Sequence, residues 1–82
     1  MNIRYDLDLD AVYFELTTTA SIDSDEIMEG VIVDYDQDNN VVGIEVLDFK
    51  QKLAQGLTID LLPFPESDLA TASNYFASEV YV

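Results

Sequence analysis

The chain has 82 residues, of which 17 are Asp or Glu and 3 are Lys or Arg, so its net charge is −14, and 49% of its residues are hydrophobic. This length fits one domain with a modest core, and the hydrophobic content excludes a disordered acidic tail. The charge argues against nucleic acid and anionic membranes as partners, because both are bound through Lys and Arg.

The residue types restrict chemistry and location further. The chain contains no Cys and no His, so it lacks thiolate ligands, disulfides and the commonest general base. It has no signal-peptide pattern and no apolar run of membrane-spanning length. We therefore expect a cytoplasmic protein that is not an enzyme and uses no cofactor.

Two alternating stretches, residues 2–5 and 11–16, flank the Asp-rich sequence DLDLD at 6–10. Alternation with period two on both sides of a break predicts a β-hairpin. Residues 17–30 are polar and predict no more than a short extended piece near 22–28. In the first stretch Ile3 and Tyr5 should share a face, and in the second Val12, Phe14 and Leu16 should do so.

A second hairpin is predicted from residues 31–35 and 41–49, which are rich in β-branched residues and separated by DQDNN. Placing Asp38 and Asn39 at the centre of the turn gives one wholly apolar face, and it avoids the like-charge pair that the next register would create. In this register the facing pairs are Tyr35–Val42, Val33–Ile44 and Val31–Val46. Gly43 then faces Asp34, which suggests a bulge or a close approach of another group.

The acidic residues of this hairpin have the spacing of a calcium-binding EF-hand loop, with Asn39 where that loop has glycine. An EF-hand loop is entered and left by helices, whereas both flanks here are strand-forming. Asp side chains at a hairpin end also bond nearby backbone amides without any ligand. We interpret the segment as a turn, although Asp34, Asp36, Asp38 and Glu45 match the loop spacing.

A different metal hypothesis uses both Asp-rich breaks. In a simple up-and-down meander, alternate hairpin tips lie at the same end of the sheet. The crowded carboxylates would then bind a divalent cation or a basic partner, or would simply be screened by salt. The candidate residues are Asp6, Asp8, Asp10, Asp34, Asp36 and Asp38.

The C-terminal third predicts helices. Residues 49–55 are compatible with a helix that ends at Gly56, and Pro65 followed by acidic residues predicts a second helix over 66–77. Residues 57–62 fit a strand or an extended arm. The sequence PFP at 63–65 makes Phe64 part of a rigid elbow or, alternatively, an exposed anchor. The apolar segment 74–82 is a candidate packing or dimer-forming element, and its last residues, EVYV, should be tied down.

The sequences IRYD and DAVYFEL within 3–16, and GVIVDYDQDNNVVGIEVLD at 30–48, resemble the bacterial family called domain of unknown function 2283. Members usually carry Gly at the hairpin tip, where this chain has Asn39. The resemblance covers about the first 50 residues and implies a β-rich fold without an established activity. Some members look like partners in toxin–antitoxin-like pairs. The matching positions are Tyr5, Asp6, Asp10, Ala11, Tyr13, Gly30, Val33, Asp34, Asp36, Val42, Gly43, Ile44, Glu45, Leu47 and Asp48.

These patterns predict a small α+β fold, in which an antiparallel β-meander of four to five strands with two hairpins precedes one or two short helices. Residues 1–82 form one domain, with a β-rich part at 1–49 and a helical or extended part at 50–82. The predicted function is a homodimeric protein-interaction module that engages a basic protein, in one version as an antitoxin-like protein. The alternatives are a divalent-cation-binding module and a purely structural domain.

Overall fold

A computed structural model describes residues 1–77, which form a five-stranded antiparallel sheet with helical segments packed against one face. The α+β class is confirmed. The polar stretch before residue 30, where a short extended piece was expected, forms a full strand. The strands are β1 (Asn2–Asp6), β2 (Ala11–Glu15), β3 (Asp23–Met28), β4 (Val31–Tyr35) and β5 (Val41–Val46).

The strand order is β1-β2-β5-β4-β3, so the expectation of a simple up-and-down meander is wrong. β5 lies between β2 and β4, and β3 lies at the edge. Composition explains this order, because β5 contains mostly buried apolar residues whereas β3 exposes Asp23, Asp25 and Glu26. Charged side chains suit an edge strand, where they discourage pairing with another sheet edge.

The register of the β4–β5 hairpin is largely as predicted. Two of the three predicted facing pairs, Val33–Ile44 and Val31–Val46, are confirmed. The third is wrong, because the register shifts after Asp34 and Tyr35 faces Val41.

The cause of the shift is the turn, which is longer than the two-residue turn that the sequence suggested. The Asp36 N–H donates to the Asn40 carbonyl (3.0 Å) and the Asn39 N–H donates to the Asp36 carbonyl (3.0 Å). Asn39 has the left-handed backbone conformation, with φ of 66°, which Asn adopts more readily than most residues. Residues 36–40 therefore form the loop, and the extra length is absorbed by the irregularity beside Tyr35.

The hydrophobic core lies on the face of the sheet that the helical segments cover. Alternation places one apolar set of β2, β4 and β5 on this face. The segments after β5 bring further apolar side chains onto the same set. The buried residues of this core are Val12, Phe14, Val31, Val33, Ile44, Val46, Phe49, Leu62, Phe64 and Ala72.

The first helix, α1 (Phe49–Ala54), is fastened to the β1–β2 turn through Asp10. The Phe49 N–H donates to the Asp10 carbonyl (2.9 Å), and the Lys50 N–H donates to the Asp10 carboxylate (3.0 Å). These bonds satisfy amides that the first turn of a helix leaves without partners. The helix ends before Gly56, whose φ of +103° fits the predicted stop.

Beyond α1, one prediction is wrong and another is confirmed. Residues 57–62 form neither a strand nor an extended arm; they contain a 3-10 turn at Ile59–Leu61. A second 3-10 turn at Glu66–Asp68 leads directly into α2 (Leu69–Ala77). Together they confirm the helix predicted over 66–77. The predictions for 79–82, and for the last residues of 74–82, lie outside the described residues.

Aromatic rings join the C-terminal part to the sheet. Phe64 is buried, so it serves in the elbow and is not an exposed anchor. Its ring meets the ring of Phe14 edge to face with centroids 5.0 Å apart. Tyr75 and Phe76 of α2 lie 5.7 and 6.0 Å from the same Phe14 ring. The C-terminal segments therefore share one core with β2.

Candidate functional site

The opposite face of the sheet is the candidate site, and we call it the open face. The helical segments cover the other side of the sheet, where the hydrophobic core lies. Its side chains are half-buried or exposed on most strands. The open face comprises Arg4, Tyr13, Glu15, Ser24, Glu26, Ile32, Asp34, Gly43 and Glu45, which alternate with the core residues in the register of the sheet.

A hydrogen-bonded network crosses four strands of the open face. The Tyr13 hydroxyl on β2 donates to Asp34 Oδ2 on β4 at 2.8 Å. The Ser24 hydroxyl on β3 donates to Asp34 Oδ1 at 2.6 Å. Both oxygens of Asp34 thus accept a hydroxyl proton, which holds the carboxylate at a fixed place between its neighbours.

Gly43 on β5 makes this network possible. It lies between Tyr13 and Asp34, and a Cβ atom at this position would be 1.9 Å from the Tyr13 hydroxyl oxygen. The tyrosine therefore reaches Asp34 by passing over a strand that has no side chain at the crossing point. The close approach predicted for Gly43 is confirmed, and the approaching group is Tyr13.

Arg4 is the cation of the open face. Its guanidinium carbon lies 5.2 Å from the centroid of the Tyr13 ring, which is a cation–π distance. One guanidinium nitrogen lies 3.7 Å from Glu15 Oε2, a salt bridge exposed to solvent. The carboxylates of Glu26, Asp34 and Glu45 have no such cationic partner among the described residues.

The structure separates the six aspartates that the sequence placed on one rim. Val12, at the start of β2, faces Val46, at the end of β5. The β1–β2 turn therefore lies at the end of the sheet where β5 stops, and the loop 36–40 lies where β5 starts. Six residues of extended chain separate the two ends by about 20 Å. The prediction that these aspartates share one rim is wrong, because it did not include β3, which reverses the direction of the chain once more between the two hairpins.

Backbone amides occupy several of these carboxylates. Asp6 Oδ1 accepts the N–H of Asp8 and Leu9 at 3.0 and 3.1 Å. Asp36 Oδ1 accepts the N–H of Asp38 and Asn40, each at 2.9 Å. The bonds from Asn40 and then Asp38 lower the pKa of Asp36 below its usual value.

The segment with EF-hand spacing is a hairpin loop, as interpreted from its strand-forming flanks. Asp36 and Asp38 lie in the loop, whereas Asp34 and Glu45 lie on paired strands of the open face. Among residues 1–77, no three acidic side chains are grouped so that they could hold a metal ion together.

Comparison with known proteins gives one family. The sequence pattern of the family described as Protein of unknown function (DUF2283) matches residues 2–50. The chain belongs to this family. No curated protein and no solved structure matches the chain.

The DUF2283 match covers the whole sheet, and with it every residue of the open face. It stops just after the start of α1, so most of the segment that covers the core face lies beyond it. Across residues 1–77, no helix has the length and apolar character needed to cross a membrane.

From the sequence, Gly43 was expected to face Asp34, whereas Tyr13 was expected only to lie in the strand predicted at 11–16. A glycine in the centre of a strong strand was the available signal. The identity of the approaching group depends on which strand lies next to β5. That neighbour is β2, which is distant in sequence, so the Tyr13–Asp34 bond could not be deduced from the hairpin alone.

Two tyrosines of the β1–β2 hairpin should ionise only at a higher pH than an ordinary tyrosine. Burial and the hydrogen bond to Asp34 raise the pKa of Tyr13 to about 12, and the hydrogen bond to Asp10 raises that of Tyr5 to about 12. An unfolded tyrosine has a pKa of about 10. Because the folded values are higher, the stability linked to them is complete below pH of about 10 and is lost as the pH rises toward 12.

We expect alkaline titration, followed by tyrosinate absorbance, to show a late phase near pH 12 in the native protein. Tyr13→Phe and Tyr5→Phe should each remove part of this phase. Unfolding in denaturant should return all tyrosines to a pKa of about 10 and serves as the control. A Tyr13→Phe protein with an unchanged late phase would contradict the bond to Asp34.

Proposed function

We propose that this protein is a non-enzymatic interaction module whose open face binds a basic protein. The observation that carries the proposal is the charge of that face. Four carboxylates, those of Glu15, Glu26, Asp34 and Glu45, share a face with one cation, Arg4. A basic partner supplies the missing counter-charges, and complementary potentials increase the rate and specificity of association.

The charge of the entire chain supports this choice of partner. Against 17 acidic residues the sequence supplies only Arg4, Lys50 and Lys52. Arg4 lies beside Glu15, and the Lys52 ammonium donates to the Leu47 carbonyl. Intramolecular pairing therefore leaves the acidic surface largely without counter-charge, and a Lys- and Arg-rich protein surface is complementary to it.

The chemistry of the open face supports a role without catalysis. With no His or Cys in the sequence, the proton-transfer and nucleophilic groups left are carboxylates and hydroxyls. The Tyr13 phenol is held in its protonated form by a pKa of about 12, so it is a poor base at neutral pH. Asp34 already accepts two hydroxyl protons.

Two finer predictions belong to this proposal. In its antitoxin-like version, the basic partner is a small toxin that the acidic face neutralises. The predicted homodimer would have to bring together two chains of net charge −14, and such repulsion is strongest at low ionic strength. Sedimentation of the isolated protein at low and high salt tests the homodimer directly.

The open face can be tested with a lysine-rich peptide and matched charge variants. In Glu15→Gln/Glu45→Gln, two open-face charges are removed. In Asp25→Asn/Glu29→Gln, two exposed charges are removed from the β3–β4 hairpin at the other edge of the sheet. We expect the first variant to weaken peptide binding about 3- to 10-fold more than the second, by analogy with close charge pairs at interfaces.

Calorimetry or NMR titration at several salt concentrations supplies the measurement. Equal weakening by the two variants would mean that the peptide senses only net charge, and the proposal for the open face would fail. Melting temperatures of both variants provide the control for folding.

A further inference from the structure

Two leucines of the β1–β2 turn are the most exposed large hydrophobic residues in the described part of the chain. Leu7 and Leu9 are 71% and 69% exposed, followed by Ile22 at 67% and by Leu61, on the helical side, at 52%. Turns favour Gly, Asn, Asp and Ser, and the fold makes no use of these two side chains in its core. Neighbouring exposed apolar side chains are a common mark of an interaction site.

Hydrogen bonds at both ends hold this turn in one conformation. At its start, the Asp6 carboxylate accepts the N–H of Asp8 and Leu9. At its end, Asp10 accepts the Tyr5 hydroxyl at 2.5 Å and the Lys50 N–H at 3.0 Å. The leucines are thus presented by a pre-ordered backbone, and less conformational entropy is lost when a partner covers them.

The same leucines border the open face. Together with Arg4, Tyr13 and Glu45 they line a shallow hollow of about 470 Å³. The apolar turn and the acidic sheet face therefore form one continuous surface. An apolar anchor next to charged groups is the usual composition of an interface, with the anchor supplying affinity and the charges supplying orientation.

We propose that Leu7 and Leu9 are the apolar anchors through which the open face holds its basic partner. This inference rests on the proposed function and names the contact. The occupant is a segment of a basic protein in which apolar side chains are flanked by Lys or Arg. The apolar residues cover the two leucines, and the cations meet the acidic groups around them, of which Asp8 and Glu45 have no ion-pair partner among the described residues.

Charge favours such a partner over a second copy of this chain. Two copies joined at this turn would bring together two sets of Asp6, Asp8 and Asp10. The one cation in the hollow, Arg4, already lies beside Glu15. Like charges at close range oppose association, whereas Lys and Arg of a basic segment relieve that repulsion.

The test compares two synthetic peptides of equal charge. One is Lys-Lys-Leu-Lys-Leu-Lys-Lys, and in the other serine replaces both leucines. We expect the leucine peptide to bind the wild-type protein about tenfold more tightly, as partial burial of two leucine side chains predicts. NMR shifts should be largest at Leu7, Leu9 and their neighbours in the hollow.

Four variants show which leucines cause the preference of the wild-type protein for the leucine peptide. Leu7→Ser/Leu9→Ser should abolish it, and each single substitution should reduce it. Leu61→Ser, which removes an exposed leucine elsewhere, should leave it unchanged. The exposed sites predict unchanged melting temperatures for all of them, and thermal unfolding verifies this.

The outcomes separate this inference from the proposed function. Equal binding of both peptides, a preference that survives Leu7→Ser/Leu9→Ser, or loss of preference in Leu61→Ser would overturn the inference and leave the proposed function standing. Failure of both peptides to bind would overturn both. A wild-type dimer in sedimentation that dissociates in Leu7→Ser/Leu9→Ser would assign the turn to a second copy and would overturn the basic partner as its occupant.

Discussion

Replacement of Phe14 by alanine is expected to lower the free energy of unfolding by about 3–5 kcal/mol, the usual cost of removing a buried Phe side chain. Phe14 is fully buried at the centre of β2. Its ring contacts aromatic rings from the elbow and from α2, so its removal opens a cavity between the sheet and its cover. Few other single changes should affect the folded state as much.

This loss is large relative to the total free energy of unfolding. At roughly 0.05–0.15 kcal/mol per residue, a chain of this size has a stability of about 4–12 kcal/mol. Phe14→Ala should therefore lower the melting temperature by well over 10 °C or leave the chain partly unfolded at room temperature. Phe14→Leu, which retains most of the volume, should cost much less and provides the matched control.

Phe64 extends the same test to the C-terminal part. Its ring lies 5.0 Å from that of Phe14, so the two substitutions should not be additive. We expect a coupling of about 0.5–1.5 kcal/mol, typical of aromatic pairs, in the double-mutant cycle. Chemical denaturation measures all four proteins. If Phe64→Ala costs less than about 0.5 kcal/mol, as an exposed site would, the elbow does not contribute to the core.

Local pattern was sufficient for four of the five strands and for both α-helices, but it indicated β3 only as a short extended piece and missed the 3-10 turn at Ile59–Leu61. Alternation predicted which side chains face the core, and it fixed two of the three β4–β5 pairs, because a slip of one residue would have exposed Val33 and Ile44. The turn was less predictable. Its length depends on the bonds that the Asp36 side chain and backbone make, and alternation carries no information about these.

Strand order was the main feature that the sequence did not reveal. Placing β3 or β5 beside β2 satisfies the alternation of β2 equally well. The choice depends on burying the most apolar strand at the centre and leaving the acidic β3 at an edge. The open face depends on this choice, since Tyr13 reaches Asp34 across β5, where Gly43 leaves the crossing point free. The separation of the Asp-rich turns has another cause, the full strand β3 between the two hairpins.

Replacement of Gly43 by alanine is the second change with a large expected effect. The added methyl would lie 1.9 Å from the Tyr13 hydroxyl oxygen and 2.5 Å from the ring carbon that carries it. Tyr13 would have to move off the sheet, and Asp34 would lose one of its two donors. We expect a loss of about 2–3 kcal/mol from the displaced ring and the broken hydrogen bond.

Combining Gly43→Ala with substitutions of Tyr13 identifies the cause of this loss of stability. Gly43 has no positive φ, so alanine fits its backbone without strain. In a Tyr13→Ala protein the space is free, and Gly43→Ala should be neutral or stabilising by up to about 1 kcal/mol, since alanine restricts the unfolded chain more than glycine does. In a Tyr13→Phe protein the ring still blocks the methyl, so Gly43→Ala should remain costly.

Thermal and chemical unfolding of the three backgrounds therefore separates steric from hydrogen-bonding effects. A Gly43→Ala cost that is the same with and without the Tyr13 ring would contradict the crossing of β5 by this side chain. A cost that disappears with the ring would mean that glycine at this position serves a residue on the neighbouring strand. The Tyr13–Asp34 bond would then depend on β2, β5 and β4 together. Gly43→Ala should also weaken binding of the lysine-rich peptide at a temperature where the variant is folded.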